Sequence, residues 1–503
     1  MNTRSFDSIA GISALVAASL AVGASLAVLP FAVSIGLIAV SAFLLVLAVV
    51  RSVFAALPDA RQLSVQRAET GAGYRFRVPR RLYYLGAGTI GFLTVRPFLA
   101  FTLSDWIFFS AFGLTCLILL AARDEIEYPV HPLVTLGVLL FAVGGLASSA
   151  EAVSGRESVF VVVRLLYLTL VWFWLGTILL REWKHVEYAV VAWVASAALS
   201  ASGAVAQFFL GDVIPGGHVA WGRMTGFTEH FTHLGGLVAI AFVPALMLAV
   251  DGRGRVQRLV GGACMGLLGA GLLLSGSVGA MAAATVGTLL WLFLRGMTRR
   301  TVVILGAATV CGLVLMSATG TTDSPSPMER ILRVTSSELP ASEGGTLYSR
   351  LEVYGSAWDR IKSGPLIGVG LDEGSSVEEL GPLLVHNIFL SPWFGAGILG
   401  LLGVVALVVG LLRVGGHLLR RTSARDRSLV AALVSGVVAF LVFAMGEPIL
   451  YVRYGWFPAA VLLALFAQER RGAFEPGRED VSVVSRVGRA TPVYRRALPE
   501  PRA

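Results

Sequence analysis

The chain alternates between long apolar runs and short polar loops. A helix that crosses a bilayer needs about 20 mainly apolar residues. Runs of that kind occur at 9–29, 31–50, 82–101, 105–121, 132–149, 158–180, 186–210, 230–250, 259–275, 278–295, 301–318, 384–412, 428–445 and 454–468. The pattern predicts an all-α, polytopic transmembrane bundle of about 12 to 14 spans. The run at 82–101 is interrupted by Arg96-Pro97, and the run at 454–468 is short. The first run is long for the core of a signal peptide, and a second follows directly after Pro30. A transmembrane hairpin is therefore expected at the N-terminus, not a cleaved leader.

Composition supports this reading. Of 503 residues, 56% are hydrophobic and 14% charged, with mean hydropathy +0.77; a soluble domain has about 25% charged residues. The net charge of +9 would elsewhere suggest nucleic acid, so its distribution matters. With the N-terminus inside and strict alternation, 30 of the 40 Lys and Arg fall on one side, at Arg4, 51–81, Arg123, 181–184, 253–258, 295–300, 413–427 and the tail. The positive-inside rule expects that excess in the cytoplasm. Shifting a single span would invert every later loop. The charge thus reports orientation, with both termini cytoplasmic in the inner membrane, and no nucleic-acid partner is expected. Membrane lipids are.

Residues 1–468 form the expected membrane domain, and 469–503 a disordered basic cytoplasmic tail that touches anionic headgroups. The 57 glycines suit close helix approach. Cys116, Cys264 and Cys311 each sit in an apolar run without a CxxC pattern, which predicts neither a disulfide framework nor a zinc site.

One outside stretch, 319–383, is too long for a passive connector. It carries ten acidic and five basic residues. Within it Leu347, Leu351, Tyr354, Trp358 and Ile361 recur at helical spacing, predicting an amphipathic helix on the membrane surface or over a cavity. The turn-rich Gly364-Pro365-Leu366-Ile367-Gly368-Val369-Gly370 follows, and the loop ends at His386-Asn387.

Polar groups at a bilayer default to functional hypotheses. His386 lies where a span meets the outer face, and an imidazole there can take a proton from a hydroxyl; its alternative role is to bond the loop backbone at a helix start. Arg350, with Arg360 and Lys362 further along the same helix, offers guanidinium forks suited to phosphate oxygens. A solvated face is the competing reading, since Glu352 and Asp359 are close. Arg223 stands in the outside stretch Gly222-Arg223-Met224-Thr225-Gly226-Phe227-Thr228-Glu229-His230-Phe231-Thr232-His233. His230 and His233 have i, i+3 spacing, but no third ligand is near in sequence, so lining of a headgroup site is preferred to a metal site. Asp105, after Ser104, either joins that lining or caps its span. No GxxxxGK[ST] occurs, and Gly368-Val369-Gly370 lacks a strand–helix context. No cofactor is expected; energy must arrive with the substrate or a gradient.

Several of these segments together resemble the O-antigen ligase and polymerase superfamily. They are Tyr348-Ser349-Arg350, Trp358, Gly364 to Gly370, His386-Asn387 and Gly395-Ala396-Gly397-Ile398-Leu399-Gly400, with Arg223…Gly226…His230…Gly235 upstream. The likeness is specific over about 220–405. The N-terminal third shares only hydropathy and the Thr102-Leu103-Ser104-Asp105 edge. The resemblance implies a metal-independent, inverting transferase, with a polyprenyl-diphosphate-linked glycan as donor and a lipid or glycan as acceptor on the outer face. His386 would then be the base, and Arg350 would hold the diphosphate. Arg223, Arg360, Asn387 and His230 complete the candidate binding set. Two positions depart from the family pattern. Val278 stands where a Ser-Arg-Gly-Ala-like turn has its arginine, and Phe231-Thr232 replaces a Pro-Asn. Arg223 or Arg360 is the candidate to supply the missing guanidinium.

The alternative is a transporter or flippase for a lipid-linked sugar or small anion. Such a protein should place ionisable residues near the midplane, whereas here Arg164 is the clearest central charge and polar residues gather outside.

Overall fold

A computed structural model describes residues 75–96, 101–122, 128–214, 216–220, 222–296, 347–381, 384–423, 426–447 and 450–471. The runs expected at 9–29, 31–50 and 301–318, the outer loop before 347 and the tail from 472 lie outside them. The described helices are α1 (Arg77–Thr89), α2 (Leu103–Ala122), α3 (Pro132–Ser148), α4 (Gly155–Leu179), α5 (Trp183–Leu210), α6 (Phe231–Asp251), α7 (Arg255–Ser275), α8 (Val278–Arg295), α9 (Leu347–Ser363), α10 (Glu373–Leu380), α11 (Leu390–Arg421), α12 (Arg427–Ala444) and α13 (Arg453–Arg470). Eight of them are long and apolar enough to cross a membrane. Strands β1 (Val219–Ala220) and β2 (Arg223–Met224) pair antiparallel in the loop before α6.

Apolar all round, α6 occupies the middle of the bundle, with nearly every residue from Leu234 to Val250 buried. Elsewhere in the bundle, α3 and α11 interlock through small residues. A Cβ on Gly137 would lie 2.5 Å from the Leu407 nitrogen, and one on Gly403 2.6 Å from the Phe141 nitrogen. Glycine is what lets the two backbones meet. An aromatic cluster joins α1, α2 and α4, with Phe108 5.2 Å edge-to-face from Tyr83 and 4.2 Å from Trp172.

Three sequence expectations are corrected. The run at 82–101 is not one helix of that length: α1 starts earlier and stops at Thr89 after 13 residues, about 20 Å. Beyond it the chain turns at Gly91, whose amide donates to Ser196 Oγ at 2.7 Å and whose missing Cβ leaves room for the Ser196 carbonyl. Arg96 therefore lies outside the span, paired with Glu229. The run expected from 384 becomes helical only at Leu390: 384–387 is irregular, 388–389 is a turn, and the Ile388 amide is tied to the Ala444 carbonyl at the end of α12, 2.9 Å. Finally, the amphipathic helix exists as α9, but its buried face is Val353, Ala357 and Ile361, while Leu351 and Trp358 are exposed.

Polar groups collect at the two ends of the bundle. At one end Arg295 pairs with Asp251, Arg253 bridges Glu187 and Asp426 at 3.0 Å each, and Arg80 donates to the Leu179 carbonyl. Of the basic residues that the alternation had grouped together, Arg80, Arg253 and Arg295 lie at this end. Arg223, Arg350 and His386 lie at the other end.

Candidate functional site

Three segments build the second end. The first is α9, anchored by its Val353–Ala357–Ile361 face. Its neighbour, the turn 364–370, lies along the start of α11. The Val369 amide donates to the Phe394 carbonyl at 3.0 Å, Gly370 to Gly395 at 3.0 Å, and the Ile398 amide to the Pro365 carbonyl at 3.1 Å. These carbonyls are open because α11 breaks at Gly397, φ +67°, a conformation glycine adopts readily. Gly368 permits the contact, since a Cβ there would lie 2.2 Å from the Gly395 carbonyl. The Gly-rich motifs at 364–370 and 395–400 are thus one backbone-to-backbone joint. Asp372 ties the next turn to α4, accepting from the Ser154 amide at 3.3 Å and the Ser375 amide at 3.0 Å.

The second segment is 384–389. The Nδ1 of His386 lies 2.5 Å from the Leu384 carbonyl. A carbonyl only accepts, so Nδ1 carries the proton of the neutral ring and Nε2 holds the lone pair. Burial pushes the imidazole pKa down, and the Arg350 charge adds to that against the opposing pull of the Leu384 bond. Asn387 Oδ1 accepts from the amides of Phe389 and Leu390 at 2.9 and 3.0 Å, capping α11.

The third segment is the α12–α13 turn. Here Glu447, which the sequence reading missed, accepts from Arg350 Nη2 at 3.2 Å. The Arg350 guanidinium lies over Gly446, where a Cβ would be 3.1 Å from Nη1. Burial raises the Glu447 carboxyl pKa, opposed by the charges of Arg350 and Arg223. One turn after Arg350 on the same face, the Tyr354 hydroxyl bonds the His386 carbonyl and the Met445 carbonyl. Arg350, Tyr354, His386 and Glu447 therefore form one cluster.

Arg223 closes the cluster from the β2 side. Its Nε donates to the Ser275 carbonyl at 2.7 Å, and its guanidinium stacks 3.4 Å over the Phe231 ring. His230 is the N-cap of α6, accepting from the Thr232 amide at 3.3 Å; burial, with the Arg223 charge, pushes it down to about 4. Arg360 is placed apart. It pairs with Glu379 at 3.2 Å, ten residues or about 15 Å along α9 from Arg350.

A cavity of about 80 Å³ adjoins the cluster, lined in part by Asp372, Glu373, Asn387, Glu447 and Tyr451. A small-molecule pocket has roughly 300 Å³ or more, so this cavity alone is too small for one. Asp105 and Arg453 pair within the bundle. Arg453 Nε is 2.8 Å from both Asp105 oxygens, and Asp105 also accepts from the Thr102 amide at 2.9 Å. Asp105 thus caps its helix and binds a partner that sequence alone did not suggest.

Residues 263–405 match the family model described as O-antigen ligase. The match runs from α7 into α11 and includes Arg350 and His386, while Arg223 and Glu447 lie outside it. No curated protein matches the chain. Over residues 263–405 this multi-pass helical membrane protein is thus similar to the O-antigen ligase family, whose members are membrane glycan ligases and polymerases.

Proposed function

We propose that the chain transfers a glycan from a polyprenyl-diphosphate carrier to a hydroxyl of a lipid or glycan acceptor, on the outer face of the cytoplasmic membrane. The observation that carries this reading is the joining of His386 and Arg350 through Tyr354 in one cluster at one end of the bundle. The excess of basic loops at the opposite end supports placing that opposite end in the cytoplasm.

In this reading the acceptor hydroxyl gives its proton to Nε2 of His386 as its oxygen attacks the anomeric carbon. The bond from that carbon to the diphosphate oxygen breaks, and the polyprenyl diphosphate leaves with the electron pair. Arg350 stabilises the charge gathering on the leaving group, as oriented cations do at developing anions. Arg223 is the better candidate than Arg360 for a second guanidinium. It reaches the 275–278 turn through the Ser275 carbonyl, where the family pattern has an arginine and this chain has Val278. Asn387 and His230 hold the starts of α11 and α6, and no step here calls on a metal or cofactor.

The test is transfer by purified protein in liposomes from a labelled polyprenyl-diphosphate glycan. His386→Ala should abolish transfer while the protein stays inserted. Normal transfer by that variant would remove the base assignment. Movement of the carrier across the membrane with its sugar bond intact would replace the enzyme by a flippase.

A further inference from the structure

The cluster contains its own anion. The Glu447 side chain is 12% exposed and sits 3.2 Å from Arg350 Nη2, and the charge of Arg223 also acts on it. The carboxylate is thus paired with the guanidinium assigned above to the donor diphosphate, while Arg223 is held by the Ser275 carbonyl and the Phe231 ring. It comes from the short turn between α12 and α13, not from either helix, so it can move without disturbing a helical hydrogen bond. Arg350 left without a counter-ion in this half-buried site would be costly.

We infer that Glu447 is a resident counter-ion that occupies the diphosphate site of the empty protein, yields Arg350 to the donor, and returns to displace the polyprenyl diphosphate product. The inference rests on the proposed role of Arg350. Its chemical motive lies in the reaction. The donor's diphosphate is a diester, whereas the product's is a monoester with one more ionisable oxygen. A bare Arg350 would therefore hold product more tightly than substrate, and turnover would stall at release. A tethered carboxylate competes with both ligands, and its competition is what returns the site to its empty state.

Glu447→Gln keeps the shape and removes the charge. Calorimetric titration of the detergent-solubilised full chain with farnesyl diphosphate should show binding tightened by about tenfold or more, the scale of a charge-assisted hydrogen bond. In turnover the variant should show a lower KM for the donor and stronger inhibition by added polyprenyl diphosphate. Glu447→Asp, whose shorter reach weakens the pair, should show the same changes in smaller measure and covers the case of a poorly folding Gln variant. A purely structural ion pair would lower thermal stability while leaving diphosphate affinity unchanged. That result, or weaker binding, overturns the inference. If neither wild type nor variants bind the diphosphate at all, the role of Arg350 fails first and the inference falls with it.

Discussion

The hydroxyl of Tyr354 bonds the main-chain oxygen of His386 and lies 3.1 Å from that of Met445. One side chain of the outer helix α9 thereby fastens the histidine loop to the end of α12. Tyr354→Phe removes the bond and keeps the ring. The expected stability loss is about 1 kcal/mol, the usual net value of one hydrogen bond. The expected fall in kcat is on the order of tenfold, because small misplacements of a base cost rate disproportionately. Transfer kinetics and thermal unfolding of the same preparation check this. A kcat equal to wild type would show that α9 does not position His386.

The acid limb of activity should lie low. His386 accepts a proton only when neutral, and burial, followed by the charge of Arg350, holds its pKa below the ordinary imidazole value of about 6.5. Transfer should therefore rise with pH through that lowered pKa and stay flat above it. Arg350→Gln removes a nearby positive charge, so the residual activity should show the limb displaced to higher pH. The measurement is kcat/KM against pH for both proteins. A limb at the same pH in both would detach the two residues electrostatically.

Much of this architecture is visible in the sequence, because hydrophobic run length reports spans and Arg placement reports their alternation. The expected runs between 105 and 295 all correspond to helices. The segments of the site were also legible one by one: Arg350, His386 and the two glycine motifs. Their meeting was not, since the joint between 364–370 and 394–398 is made of backbone bonds that no residue type announces. Glu447 and Arg453 escaped notice for a related reason. Each is a single charge in the short stretch between two spans, and its importance comes only from a partner far along the chain, 97 residues away for Glu447 and 348 for Arg453. The apolar stripe on α9 misled because Leu351 and Trp358 stay largely exposed, Trp358 meeting the protein only edge-on at Trp393, while the buried face is Val353, Ala357 and Ile361.

Arg453 and Asp105 carry a prediction of their own. Their side chains are 6% and 1% exposed, so removing one partner strands a buried charge. Asp105→Leu should cost about 3–5 kcal/mol, and Arg453→Met a similar amount. Asp105→Leu combined with Arg453→Met should recover much of that loss, since paired apolar replacement of a buried ion pair is often neutral. Thermal unfolding in detergent of the singles and the double completes the cycle. Additive losses in the double variant would mean that the two residues do not act as a pair.

Arg164 should show the opposite behaviour. It lies on α4 about 15 Å from the start of that helix, with its guanidinium 5.5 Å over the Tyr451 ring. Among the described residues no carboxylate lies within ion-pair distance of it, because Asp105 is engaged by Arg453 and Glu229 by Arg96. A charge held this way at membrane depth costs the fold on the order of 2.5 kcal/mol, and Tyr451 returns only part of it through the cation–π contact. Such a cost is retained where the charge serves a ligand, and Tyr451 lines the cavity beside Glu447. Arg164→Met keeps much of the length and loses the charge. It should unfold at the same temperature as wild type or higher, while KM for the lipid-linked donor rises at least several-fold. Lower thermal stability with unchanged KM would make Arg164 a packing residue and remove it from the site.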